Sequence, residues 1–224
     1  MTETESKGTA EALDREAEFN AQIADARAKY GRVVGWLDEV DGALIFRGPT
    51  HEELTRFIVE THGEDADQMV ANENLATSCV VSMSPAAFCK ILDAVPGFAD
   101  EVSKRIQELT APRGVARGDA RKKLDELVAE AKKTHSRVAA EYDEEYGPFL
   151  FGPPSRPAEK QFRKSVSNMT RALAEAEAYA LGCVVYPSRE ELAAVMAKVP
   201  GMALQFAEVI KKLSRPTGDA RGKA

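Results

Sequence analysis

Laid over itself with a displacement of 104 or 105 residues, the sequence pairs like with like. Cys79-Val80-Val81 returns as Cys183-Val184-Val185, and Val95-Pro96-Gly97 returns as Val199-Pro200-Gly201. Ser84, Ala99, Ile106, Leu109 and Pro112 return as Ser188, Ala203, Ile210, Leu213 and Pro216. Upstream the offset is one residue larger. Arg32, Val33, Asp38, Glu39, Gly42, Phe46, Pro49 and Phe57 return as Arg137, Val138, Asp143, Glu144, Gly147, Phe151, Pro154 and Phe162. The slippage falls between Phe57 and Cys79, where a loop is expected because loops absorb insertions. The chain is a tandem duplication of a unit of roughly 100 residues, long enough to bury its own core. Such a period is far above that of a solenoid. Positions shared by both copies report the fold; positions that differ are free or belong to one copy.

The repeat divides the chain into an N-terminus at 1–12 expected to be disordered, unit one at 13–112, a linker at 113–118, unit two at 119–216 and a mobile tail at 217–224. The expected fold class is mostly α with short β-hairpins (α+β), as two tandem homologous helical units. Hydrophobic residues at 44% and charged residues at 29% suit a globular chain. A net charge of −6 disfavours a nucleic-acid binder, which needs clustered cations. No apolar run approaches the ~18 residues of a membrane helix, so no membrane partner is expected. The start of the chain carries no signal-peptide pattern. The three cysteines form no C-x-x-C pair. Cys79 and Cys183 hold equivalent positions and read as buried apolar fillers.

Each unit opens on a helical pattern, over Glu11–Lys29 and Asp119–Thr134, in which Leu124 and Val128 repeat Phe19 and Ile23. Leu13 is a further apolar mark of the first helix. A hairpin follows, turning at Asp41-Gly42 in unit one and at Gly147 in unit two. Pro148 restricts its strand to an edge or a strand start. Gly48-Pro49 and Pro153-Pro154 stop the strands, and Thr50 with Glu53, or Ser155, caps the next helix. Further helices are expected at 65–78 and 169–182, after Ser84 and Ser188, and from Phe98 and Met202. Val-Pro-Gly separates the last two in both copies.

Catalysis requires polar groups converging on a pocket. His51, His62 and His135 have no histidine at their equivalent positions, which are Arg156, Ser167 and Tyr30. All three read as surface residues. His51-Glu52 lacks the second histidine of a zinc-protease helix, and no glycine-rich phosphate loop occurs. Asp38-Glu39 and Asp143-Glu144-Glu145 read as turn residues rather than an acid–base pair. No catalytic residue, metal ligand or cofactor is therefore expected. Arg56 matches Gln161, so it is no obligatory anion clamp. The apolar features are stronger. Trp36, Leu44, Phe46 and Phe57 in unit one, and Phe149, Phe151 and Phe162 in unit two, are the candidate partner-binding residues. They mark an exposed strand followed by an amphipathic helix, a pattern that suits strand addition or helix-in-groove binding. Two linked copies would raise the effective concentration for a repetitive target.

A strand ending in Phe-x-x-Pro-Ser/Thr opens a helix with an inward Phe; a second helix ends in Cys-Val-Val; a Pro-Gly break precedes a last helix ending in Leu. Over Leu44–Phe57, Cys79–Leu109, Phe149–Phe162 and Cys183–Leu213 this pattern resembles the tail assembly chaperones and tail-cluster proteins of tailed bacteriophages. The resemblance spans half to two-thirds of the chain. It implies a helical, non-enzymatic protein whose partner is a tail, tape-measure or tube protein, with a homo-oligomer as a further partner. It also implies a place in the host cytoplasm or on a phage-like particle. A structural or decorating component of a virion or contractile particle is the alternative. This chain departs from the pattern by joining two units, each with an added leading helix and hairpin.

Overall fold

The structure, a computed structural model, describes residues 3–38, 40–63 and 65–214, with side chains from Leu13 onward. Among these residues the chain is mostly α, with two small antiparallel sheets of two and three strands. Unit one runs α1 (Glu3–Tyr30), β1 (Val33–Asp38), β2 (Gly42–Arg47), α2 (His51–His62), α3 (Gln68–Cys79), α4 (Pro85–Ala94) and α5 (Phe98–Leu109). Unit two runs α6 (Gly118–Ala131), β3 (Ala139–Asp143), β4 (Gly147–Phe151), α7 (Arg156–Ser165), α8 (Ala172–Cys183), β5 (Val184–Tyr186), α9 (Arg189–Lys198) and α10 (Met202–Leu213). The one difference in order is β5, whose counterpart in unit one is a single bridge between Phe46 and Val80. The segment expected to be disordered is helical from Glu3. The tail at 217–224 lies outside the described residues, as do Glu39 and Glu64.

Local chemistry sets the boundaries. Thr50 and Glu53 form a complete capping box at α2, and Ser188 with Glu191 does the same at α9. Ser84, Ser155 and Asp67 cap α4, α7 and α3 by accepting from backbone N–H groups of the first turn. The expected hairpins are present and pair Asp38 with Gly42 and Asp143 with Gly147, so three residues form each loop. The reason is the aspartate: Oδ1 of Asp38 accepts from Val40 and Asp41 N–H, and Oδ1 of Asp143 accepts from Glu145 and Tyr146 N–H. Each loop then closes through a glycine at positive φ, +75° at Gly42 and +86° at Gly147. Pro148 stands at the start of β4, ahead of the residues that pair with β5.

Strand alternation puts each hairpin between two helical layers. In unit one Val34, Trp36, Leu44 and Phe46 pack into the main core. Gly35, on the opposite face, lies so close to α1 that a Cβ there would sit 2.5 Å from Ile23 Cδ1 and 2.9 Å from Phe19 Cζ. In unit two Phe149 and Phe151 face the main core, while Leu150 packs with Leu124, Leu127 and Val128 of α6. Leu13, expected on the buried face of α1, is 61% exposed.

The main core is continuous across the two units. Its filling differs between them. Phe88 and Phe98 of unit one are replaced by Leu192 and Met202, whereas Leu44 and Val102 become Phe149 and Phe206. Phe46 meets Phe88 at 5.2 Å between ring centroids, and Phe206 meets Phe149 at 4.9 Å and Phe151 at 5.0 Å. Volume lost on α4 and α5 is regained on the strand β4 and on α10, which is how cores tolerate multiple substitutions.

Candidate functional site

The residues expected to bind a partner are core residues. Phe46, Phe149 and Phe151 are fully buried, and Leu44, Phe57 and Phe162 are at most 7% exposed. Trp36 is partly buried edge-on against Phe46 and Phe98, at 5.4 and 5.9 Å. Phe162 stacks on Tyr179 of α8 at 4.3 Å. The physical reason is that the chain's own helices occupy the grooves. The outer edge of β2 is also covered, since Val81 N–H donates to the Ile45 carbonyl and Ile45 N–H donates to Ser82 Oγ. Among the described residues β2 and β4 are therefore covered on both edges.

The polar residues are engaged in holding the units together. Arg32 precedes β1 and is buried. Its guanidinium donates to the carbonyls of Leu109 and Ala111, to Asp143 Oδ2 at 2.6 Å and to Glu145 Oε2 at 3.1 Å, and it lies over the Tyr146 ring. Asp143 accepts in addition from Arg113 N–H at 2.7 Å. Burial alone would push the Asp143 carboxyl up; the Arg113 N–H, the Arg32 guanidinium and the loop N–H groups together hold it below the ordinary aspartate value. Two further contacts join the units. His51 Nε2 lies 3.5 Å from Glu177 Oε1, and Thr110 packs on Gly201 so tightly that a Cβ there would sit 3.0 Å from the Thr110 carbonyl oxygen.

The other histidines have local roles. His62 Nδ1 lies 2.7 Å from Thr61 Oγ1, and the His135 ring rests over Gly152. Cys79 and Cys183 are buried as expected. Burial pushes the Cys79 thiol up to about 12 and the Cys183 thiol up to about 11. Among the described residues no group of three or more His, Cys, Asp or Glu side chains is placed to hold a metal ion, and no helix is long and apolar enough to cross a membrane.

A cleft of 560 Å³ opens between α2, α3 and α4 of unit one. Arg56 and Glu60 come from α2, Glu73 and Asn74 from α3, and Cys89 and Asp93 from α4. Asn74 Nδ2 donates to Glu60 Oε1 at 3.1 Å, and Arg56 donates to Ser78 Oγ at 3.0 Å. Glu60 Oε2 is buried without a hydrogen-bond partner. Three carboxylates against one guanidinium make the cleft acidic. Its lining belongs to unit one alone, because Arg56, Glu60, Cys89 and Asp93 correspond to Gln161, Ser165, Ala193 and Ala197. The mismatch at these four positions was legible in the repeat. That they meet in one cleft required the packing of three helices.

No family model and no curated protein matches the chain. A solved structure described as that of the uncharacterised protein rbstp2171 from Bacillus stearothermophilus matches at 22% identity and a TM-score of 0.33, over 43% of this chain and 98% of the other.

Proposed function

We propose that the protein is a non-enzymatic assembly protein of a phage-tail-like particle, acting as a chaperone-like scaffold for a tail, tape-measure or tube protein. The observation that carries this reading is the open acidic cleft on unit one, set into a body whose two halves are locked together by Arg32 and Asp143. A cleft of this kind suits a chain segment bearing lysine or arginine, with Met69 supplying apolar contact on its wall. The mode of binding differs from the one expected of the aromatic residues, which are spent on the core. The spacing of strand, Cys-Val-Val and Pro-Gly shared with tail assembly chaperones supports the choice of partner.

Co-expression with the tape-measure and tube proteins of the same genome, followed by co-purification, tests the reading. A stable complex that Glu60→Lys and Asp93→Lys weaken is the expected result. No retained tail protein would count against it. Mass spectrometry of purified particles separates a chaperone, absent from them, from a resident component.

A further inference from the structure

The two units do not meet face to face on equivalent surfaces. Unit one contributes Arg32, His51 and Thr110 to the seam, and unit two contributes Asp143, Glu177 and Gly201. In the repeat, the unit-one counterparts of Asp143, Glu177 and Gly201 are Asp38, Glu73 and Gly97. The unit-two counterparts of Arg32, His51 and Thr110 are Arg137, Arg156 and Ser214. The seam is therefore heterologous: one face of the unit docks on a different face of the next. A heterologous contact leaves one unmatched face at each end.

Burial follows this asymmetry. Val199 is 4% exposed, and Pro200 and Gly201 are buried; Val95 is 53% exposed, and Pro96 and Gly97 are exposed. Asp143 is fully buried, whereas Asp38 is exposed. A Cβ at Gly97 would meet nothing within 4 Å. At the other end Leu109 is 5% exposed, but its counterpart Leu213 is only half-buried. The same motifs are thus covered where a neighbouring unit exists and open where it does not.

The open faces are chemically complementary. Each pair across the seam has a counterpart of matching chemistry: arginine with aspartate again at Arg137 and Asp38, a cation with glutamate at Arg156 and Glu73, a small hydroxyl residue with glycine at Ser214 and Gly97. Arg137 donates to the Leu213 carbonyl at 2.9 Å, as Arg32 does to Leu109. Charge reinforces the match. Along the α2 face His51 is followed at i+4 and i+7 by Thr55 and Ile58; along α7 Arg156 is followed by Lys160 and Arg163, both exposed, with Arg163 paired to Glu159 at 2.6 Å. The basic face of α7 is suited to α3 of unit one, where Glu73 lines the acidic cleft.

We propose that the partner of the unit-one face is the unit-two face of a second copy of this chain, so that copies join head to tail and repeat the internal seam. The inference rests on reading the unit-one cleft as a protein-binding surface and gives it a second occupant when no tail protein is bound. The internal seam is aided by the covalent link, whose effective concentration is in the millimolar range, so contact between separate copies is weak and grows with concentration. Because charges carry it, salt suppresses it.

Sedimentation velocity on the full chain, up to millimolar concentration and at low and high salt, tests the proposal. The weight-average mass of the wild type is expected to rise past that of a dimer, and salt to reverse the rise. Arg156→Glu and Glu73→Arg are each expected to weaken self-association by roughly tenfold or more, with folding checked by circular dichroism. Mixing the two variants should restore it, since the intact Arg156 of one then meets the intact Glu73 of the other. A symmetric interface would be rescued in the same way but would stop at a dimer, so growth past the dimer is what separates the two. A wild type that stays monomeric, single variants that associate like the wild type, or a mixture that fails to associate would each overturn the proposal. Those outcomes leave the capture of a tail protein to be judged by its own experiment.

Discussion

Arg32 of unit one and Asp143 of unit two lie 2.6 Å apart, with side chains 3% and 0% exposed. A buried pair loses most when only one partner is removed, because the remaining charge is left without compensation. Asp143→Ala is expected to destabilise the protein by about 3–5 kcal/mol. Asp38→Ala, the same change in the other unit, removes acceptors only from exposed N–H groups and should cost about 0.5–1.5 kcal/mol. Urea unfolding of the two variants checks the difference.

The same carboxylate gives a pH dependence. The folded state holds the Asp143 carboxyl below its ordinary value. Its contribution is present above the unfolded pKa, near 3.9, and is lost as pH falls through the lower folded value. Thermal melts below about pH 4 should therefore fall steeply in the wild type and less steeply in Asp143→Ala.

Two equivalent glycines should respond in opposite ways. Gly201→Ala places a methyl group against the Thr110 side chain and carbonyl oxygen and should cost about 1–3 kcal/mol. Gly97 has φ −76° and open space around it, so Gly97→Ala should be neutral or stabilise by up to about 1 kcal/mol. Melting temperatures of the two variants decide the matter.

The aromatic residues can be tested as core. Phe46→Ala and Phe151→Ala should each cost about 3–5 kcal/mol. Partner capture measured under conditions where the variants remain folded should be unchanged.

Thiol chemistry reports the same burial. Of the three cysteines, Cys89 alone is exposed. One thiol per native chain should react promptly with a disulfide reagent, and three should react in denaturant. Prompt reaction of Cys79, whose thiol is pushed up to about 12, would contradict the packing of α3.

Much of the fold was written in local chemistry. Thr50–Glu53 and Ser188–Glu191 announce helix starts by their own hydrogen bonds, and Gly42 and Gly147 announce turns through backbone freedom. The turns were legible at Gly42 and Gly147, but not the part that the Asp38 side chain plays by accepting from the N–H groups of Val40 and Asp41. Phe46 and Phe151 were mistaken for surface residues because alternation tells which residues share a face, not what covers that face. Arg32 and Arg137, or Gly97 and Gly201, look alike in sequence. Their different roles arise only when one unit docks on the other.

Hydroxyl-radical footprinting of the dilute wild-type protein tests the heterologous arrangement most directly, because it compares one motif in two settings within the same chain. Val95 and Pro96 should be oxidised several-fold faster than Val199 and Pro200. Equal protection of the two segments would contradict the account.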